Sequence, residues 1–414
     1  MTTADVTSNS SSQVGIGDNT SCDVPRPVDL RPGDAVAWGL NNAGQVGDGT
    51  TTNRTTATNV LLPDGGRLAS VDAGDMHSVG VDAKGNVWSW GMNTYGQLGD
   101  GTTTGRHQPV RVLLPDGVYV WKIVVGYAHN FAVTNTMDVY AWGYNEFGQL
   151  GDGTTTNRLT PVLVNLPDVN IGSIVAGGFH NLAFNTVPMN DSGGASLMVW
   201  GRNTFGQLGD GTTTDRHVPT LVTVPEIFDG EINLAAGNCH SLFGAIASYG
   251  MGIQAEAIWA WGLNNYGQVG DGTTTDRYIP TPVAYSEHSD QDPRSLHAKA
   301  GYNHSFMIDY QGNVTAWGLN NSGQLGDGTT TTRLSPVSVS MPGNDPVYDA
   351  AGGGYHSVFT AASGTRYACG SNQAGQLGNG TTTDSRTPIP VPPPTGTTFS
   401  DIVPGISHNV VMLT

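Results

Sequence analysis

One block of residues recurs seven times along this chain, and a sequence periodic at this interval calls for a periodic structure. Its first copy reads Trp38-Gly-Leu-Asn-Asn-Ala-Gly-Gln-Val-Gly-Asp-Gly-Thr-Thr-Thr-Asn-Arg54. It returns at Trp90, Trp142, Trp200, Trp261 and Trp317, and a seventh copy begins at Cys369, where Cys replaces Trp. Successive starts lie 52 to 61 residues apart, an interval that suits propeller blades or solenoid repeats.

A second block, Gly-x-x-His followed by an apolar stretch, alternates with the first. Its copies are Gly74–His77, Gly126–His129, Gly177–His180, Gly237–His240, Gly301–His304, Gly353–His356 and Gly405–His408. Within one repeat, Ser78–Val81 and Val87–Trp90 read as strands joined by the hairpin Asp82–Asn86. Val110–Leu114 and Val120–Val125 read as two more, separated by Pro115–Gly117. Four short strands per unit match a propeller blade, and no repeat carries a helical apolar period. The 58 Gly and 23 Pro suit a chain that turns often. The predicted fold is all-β: a seven-bladed β-propeller with four-stranded blades over residues 34–414, preceded by a polar tail, residues 1–33. Asp34–Trp38 is a Trp-Gly strand with no Gly-x-x-His strand before it, and Val410–Thr414 has no Trp-Gly strand after it. The ring is therefore expected to close through a blade shared between the N- and C-terminal strands, which removes exposed sheet edges.

These two blocks resemble the repeats of the regulator of chromosome condensation family, over about residues 34–414, and the uniform Gly-Asp-Gly-Thr-Thr-Thr copies are most similar to its bacterial members. The resemblance implies the propeller. It also implies that the Gly-x-x-His loops lie on a face used for protein contacts, as in the family's plant photoreceptor and in a related bacterial inhibitor of β-lactamases. This chain differs from the photoreceptor in having no Trp inside those loops. The residues placed on the candidate face are those that change from copy to copy: Met76, Tyr127, Phe179, Asn238, Tyr302, Tyr355 and Ile406.

Other recurring residues read as scaffold. The seven histidines are expected to bond neighbouring backbone and fix the turn before each strand, spread too widely around the ring to share a metal. Asp48, Asp100, Asp152, Asp210, Asp271 and Asp327 each precede an Arg by six residues, so Arg–carboxylate pairing is expected for Arg54, Arg106, Arg158, Arg216, Arg277 and Arg333, with Arg386 completing the Arg set. The Gly-Asp-Gly-Thr loop lacks the Lys of a phosphate loop and the acidic spacing of a calcium loop; its Asp and Thr are expected to bond local backbone. Tyr95, Phe147, Phe205 and Tyr266, ahead of the Gly-Gln step, read as blade-to-blade packing. Two longer repeats place extra residues near Val187–Ala195 and Ile246–Glu256, in equivalent hairpins of neighbouring blades.

The net charge of −17, with Lys84, Lys122 and Lys299 the only lysines, repels a phosphate backbone, so nucleic acid is not expected as a partner. Cys22, Cys239 and Cys369 lack metal-ligand spacing. No nucleophile-elbow or zinc-protease motif occurs, and the sequence names no catalytic residue, metal site or cofactor. No stretch is apolar enough to span a bilayer, and residues 1–30 lack the features of a signal peptide. The expectation is a soluble chain, cytoplasmic or secreted after loss of a signal not present in it. The leading functional reading is a non-enzymatic protein-binding platform, an inhibitor or an assembly subunit. The alternatives are a carbohydrate-binding or hydrolytic propeller with a central pocket, and a nucleotide-exchange regulator of a small GTPase.

Overall fold

The computed structural model describes residues 34–167, 171–185, 196–222, 232–249, 253–288 and 297–414. The tail at residues 1–33, Cys22 and the insertion expected near Val187–Ala195 lie outside the described residues.

Seven four-stranded antiparallel sheets stand around a common axis. Blade 1 shows the pattern: an inner strand Leu68–Ala73, then His77–Asp82, Val87–Gly91 and an outer strand Arg106–Arg111. Blades 2 to 6 repeat it within residues 120–163, 171–222, 232–288, 297–338 and 347–390. The outer strand begins at Arg106 and ends at Arg111, earlier than the expected Val110–Leu114. Pro109 lies within this strand. The outer strand is an edge, however, and a break in register between Ser89 and Gly91 accommodates the proline.

Blade 7 is built from both ends of the chain. Val403–Pro404 and His408–Met412 pair with Ala35–Gly39, which pairs with Arg54–Asn59. The junction runs in unbroken register from Ala35 opposite Met412 to Gly39 opposite His408. The ring is closed by a four-stranded blade drawn from both termini, as the two incomplete repeats at the ends of the sequence require.

The apolar cores lie between blades. One cluster joins Val81 and Val87 of blade 1 to Ile123, Val125 and Trp142 of blade 2. Comparable clusters fill the remaining six junctions, including the two flanking blade 7. Each of the six tryptophans of the recurring block, Trp38, Trp90, Trp142, Trp200, Trp261 and Trp317, is almost fully buried in such a junction. Its indole N–H donates to the Gln carbonyl of the preceding blade, as Trp142 Nε1 does to Gln97 at 3.0 Å.

Strand direction alternates, so the Gly-x-x-His loop and the long Asn-to-Arg loop of each blade emerge at the same end. The short hairpins emerge at the other. The insertion near Ile246–Glu256 is a lengthened hairpin of blade 4, paired from His240 opposite Gly262 to Tyr249 opposite Ile253. It therefore points away from the Gly-x-x-His face; residues 250–252 at its tip lie outside the described residues.

Candidate functional site

Each long loop is fixed by one buried Asn and one carboxylate. In blade 2, Asn145 Nδ2 reaches Asp152 at 3.1 Å and the carbonyls of Thr154 and Thr156, while Asn145 Oδ1 accepts the Leu150 amide at 2.9 Å. Asp152 accepts the Thr154 amide and hydroxyl and pairs with Arg158 at 2.6 Å. Burial alone would raise the Asp152 carboxyl; bonds from Thr154 and Arg158 outweigh it and hold the group below its ordinary 3.8. The same pairing recurs in the five other Asp-bearing copies, always within one blade. Arg386 is not the seventh member. Ser385 stands opposite Gly370 where the other blades place Arg, and Asn379 replaces the Asp, so both charges are gone together.

The histidines do not bond backbone beside their own turn. Each crosses to the next blade: His129 Nε2 meets Asn181 Oδ1 at 2.8 Å, and His240 Nε2 meets Ser305 Oγ at 2.9 Å. That Asn or Ser in turn donates to a Gln carbonyl of the histidine's own blade, as Asn181 does to Gln149 and Ser305 to Gln268. The circuit closes through His356 to Asn409 and His408 to Ser78. The glycine of the motif exists because the ring lies on it. A Cβ on Gly126 would stand 2.2 Å from His129 Cε1 and 2.8 Å from the Gly177 carbonyl oxygen.

The residue after that glycine links blades around the axis. Asp75 N donates to Tyr127 O, Tyr127 N to Gly178 O, Gly178 N to Gly237 O and Asn238 N to Tyr302 O. Tyr302 N donates to Gly353 O, Gly354 N to Ile406 O, and Ile406 N to Gly74 O. This belt frames the axial mouth, a cavity of about 110 Å³ lined by Asp75, Tyr127, Asn238, Tyr302 and Ile406 above a collar of Gly, Ala, Val and Pro. The Asp75 carboxyl is pushed up by burial, with a hydrogen bond from the Tyr127 hydroxyl opposing the shift. Burial, then the Asp75 charge, raises the Tyr127 phenol, which stays protonated. Asn238 Oδ1 is buried without a hydrogen-bond partner and lies where a Cβ on Gly178 would be.

The structure divides the seven residues chosen from sequence. Tyr127, Asn238, Tyr302 and Ile406 line the mouth. Met76, Phe179 and Tyr355 occupy the next position of the loop, whose carbonyl holds the residue after the Trp-Gly step, as Phe179 O accepts from Arg202 N at 2.8 Å. Met76 and Phe179 are half-buried, and Tyr355 is 41% exposed. Phe179 anchors an aromatic cluster with Tyr127, Tyr144 and Phe147 at centroid separations of 5.0 to 5.7 Å. Tyr95 joins through Tyr144 at 4.6 Å. The Arg202 guanidinium lies 4.9 Å from Phe147, 5.4 Å from Phe205 and 5.9 Å from Phe179. Tyr95, Phe147 and Phe205, read from sequence as packing residues, thus join the candidate face; Tyr266 is 38% exposed. Asp75, Tyr144 and Arg202 were not singled out from sequence. Tyr144 and Arg202 share a position that reads Leu40, Met92, Tyr144, Arg202, Leu263, Leu319 and Ser371 across the copies, so its variability was the signal.

Seven blades carrying variable residues on an invariant framework define a repeat-built propeller. Its sequence matches the Regulator of chromosome condensation (RCC1) repeat at residues 32–81, 84–133, 138–184, 196–243, 256–308, 311–360 and 363–412, and the chain belongs to that repeat family. It is 31% identical over 366 residues to the ultraviolet-B receptor UVR8 of Arabidopsis thaliana, covering 87% of this chain and 78% of that protein. It is 28% identical over 292 residues to the human E3 ubiquitin-protein ligase HERC2, covering 70% of this chain but 6% of that one. In fold it is similar to Prp20p from Saccharomyces cerevisiae, a protein described with binding properties toward Gsp1p and histones. The TM-score is 0.75 at 21% identity, over 93% of this chain and 92% of that one.

Proposed function

We propose that this chain is a non-enzymatic protein-binding platform that engages its partner through the Gly-x-x-His face. The observation that carries the reading is the partly exposed cluster of Tyr95, Tyr127, Tyr144, Phe147, Phe179 and Phe205 around Arg202. Its members sit at positions the repeat leaves free, so the framework does not require them. Aromatic and Arg side chains dominate binding energy at protein interfaces. The histidines and the Asp–Arg pairs, by contrast, are committed to holding blades and loops. Relatives described as a receptor and as a binder of other proteins agree with this role. The hydrolytic alternative needs two carboxylates flanking a substrate, whereas Asp75 is the one carboxylate among the described residues lining the mouth.

Affinity capture from the source cell tests the reading. The wild-type chain is compared with a Tyr127/Phe179/Tyr302/Tyr355 alanine variant, and with a Tyr119→Ala variant on the opposite end. The face variant should lose the retained protein and the control should keep it. Equal recovery by all three removes the face from consideration.

A further inference from the structure

We infer that the axial mouth is a socket for one cationic side chain, a Lys ammonium or an Arg guanidinium presented by the partner. The protein-binding reading supplies only the source of that side chain; the socket is argued from its own chemistry.

The mouth offers acceptors and few donors. The backbone N–H groups of Asp75, Tyr127, Gly178, Asn238, Tyr302, Gly354 and Ile406 are all spent on the interblade belt. The side chains lining the cavity are those of Asp75, Tyr127, Asn238, Tyr302 and Ile406, and the Asp75 carboxylate takes a hydrogen bond from the Tyr127 hydroxyl. A carboxylate complements an N–H-bearing cation, and tyrosine rings favour a cation over their faces. An anion would meet the repulsion of the Asp75 carboxylate. The collar of Ala73, Val125, Ala176 and Ala236, with Ile406, suits the methylene stem behind a charged head. The cavity has room for the end of one side chain and not for a folded segment.

Arg202 does not fill this role. Its guanidinium is held over Phe147, Phe179 and Phe205, and its Nε donates to Thr204 Oγ1 at 3.2 Å. The chain's net charge of −17 adds a field that draws cations toward the surface.

The test titrates the isotope-labelled full chain with N-acetyl-lysine methylamide, N-acetyl-arginine methylamide and the norleucine analogue, following the Gly178 amide and the Asn238 side chain by NMR. At least one cationic probe should shift these resonances saturably while norleucine leaves them unmoved. Asp75→Asn should weaken that binding about tenfold or more, and Asn238→Asp, which adds a charged acceptor, should tighten it about tenfold. Should Asp75→Asn fail to fold, the Asn238→Asp gain decides. Equal shifts with norleucine, or unchanged affinity in the folded Asp75→Asn chain, overturn the socket. Because the probes are small molecules, this result is independent of whether the aromatic face captures a protein.

Discussion

At the scale of single residues, the histidine ring fixes both a tautomer and a pH response. The Ser or Asn facing each Nε2 gives its own proton to a Gln carbonyl, so it can only accept from the ring. Every one of the seven rings therefore carries its proton on Nε2, and the buried Nδ1 has no partner. Burial lowers the rings facing Asn, His77, His129 and His356, to about 4, and those facing Ser, His180, His240, His304 and His408, to about 3. The unfolded chain binds these protons near 6.5, so below that pH it holds more of them than the folded chain. The stability these rings contribute is complete above about pH 6.5 and is lost as the pH drops toward 4. Denaturant unfolding followed from pH 7 to about pH 5.5 should show stability falling, with a net uptake of several protons. An uptake of about one or less would show that the rings titrate in the folded state. The recurrence of these histidines was legible in the sequence; their partners were not, because His240 and Ser305 lie 65 residues apart.

At the scale of the element, the long loop behaves as a self-contained unit. Its Asn, Asp, Thr and Arg all lie within one copy of the block, so local pairing could be anticipated from spacing. Blade 6 shows that the unit tolerates coordinated loss of charge: Asn379 Oδ1 still accepts the Thr381 amide and hydroxyl, with Ser385 in the place of Arg. In blade 2, Asp152→Asn should cost about 1–2 kcal/mol and Arg158→Ser less than about 1, because the Arg is partly exposed and screened. The double variant should fall short of the sum by about 0.5–1 kcal/mol, and urea unfolding of the four chains measures that coupling. Strict additivity would mean that the two charges act independently. The outer strand was misplaced from sequence because proline and polar residues obscure an edge strand, whose position follows from pairing with Val87–Gly91.

At the scale of the whole molecule, each blade junction has its own core, and blade 7 is covalently broken yet fully paired. Leu413 N donates to Asp34 O at 2.8 Å, so the two ends of the ring lie side by side. A circular permutant that starts at Gly117, ends at Asp116 and joins Thr414 to Asp34 by a short hairpin should therefore fold with a Tm within about 5 °C of the parent. Removing residues 408–414 should instead abolish cooperative unfolding, since it takes away the partner of Ala35–Gly39 and the bonds from His356 to Asn409 and His408 to Ser78. A truncated chain with the parental Tm would contradict closure as the source of stability. The repeat alone determined the blade, the blade number and the shared seventh blade, because a sheet unit that recurs can bury its faces only against copies of itself. The tertiary structure alone decided which variable residues meet. Tyr144, Phe179 and Arg202 belong to two blades and are brought together by the packing of one sheet on another, and Asp75, Tyr127 and Asn238, from three blades, come to line one mouth only through the ring.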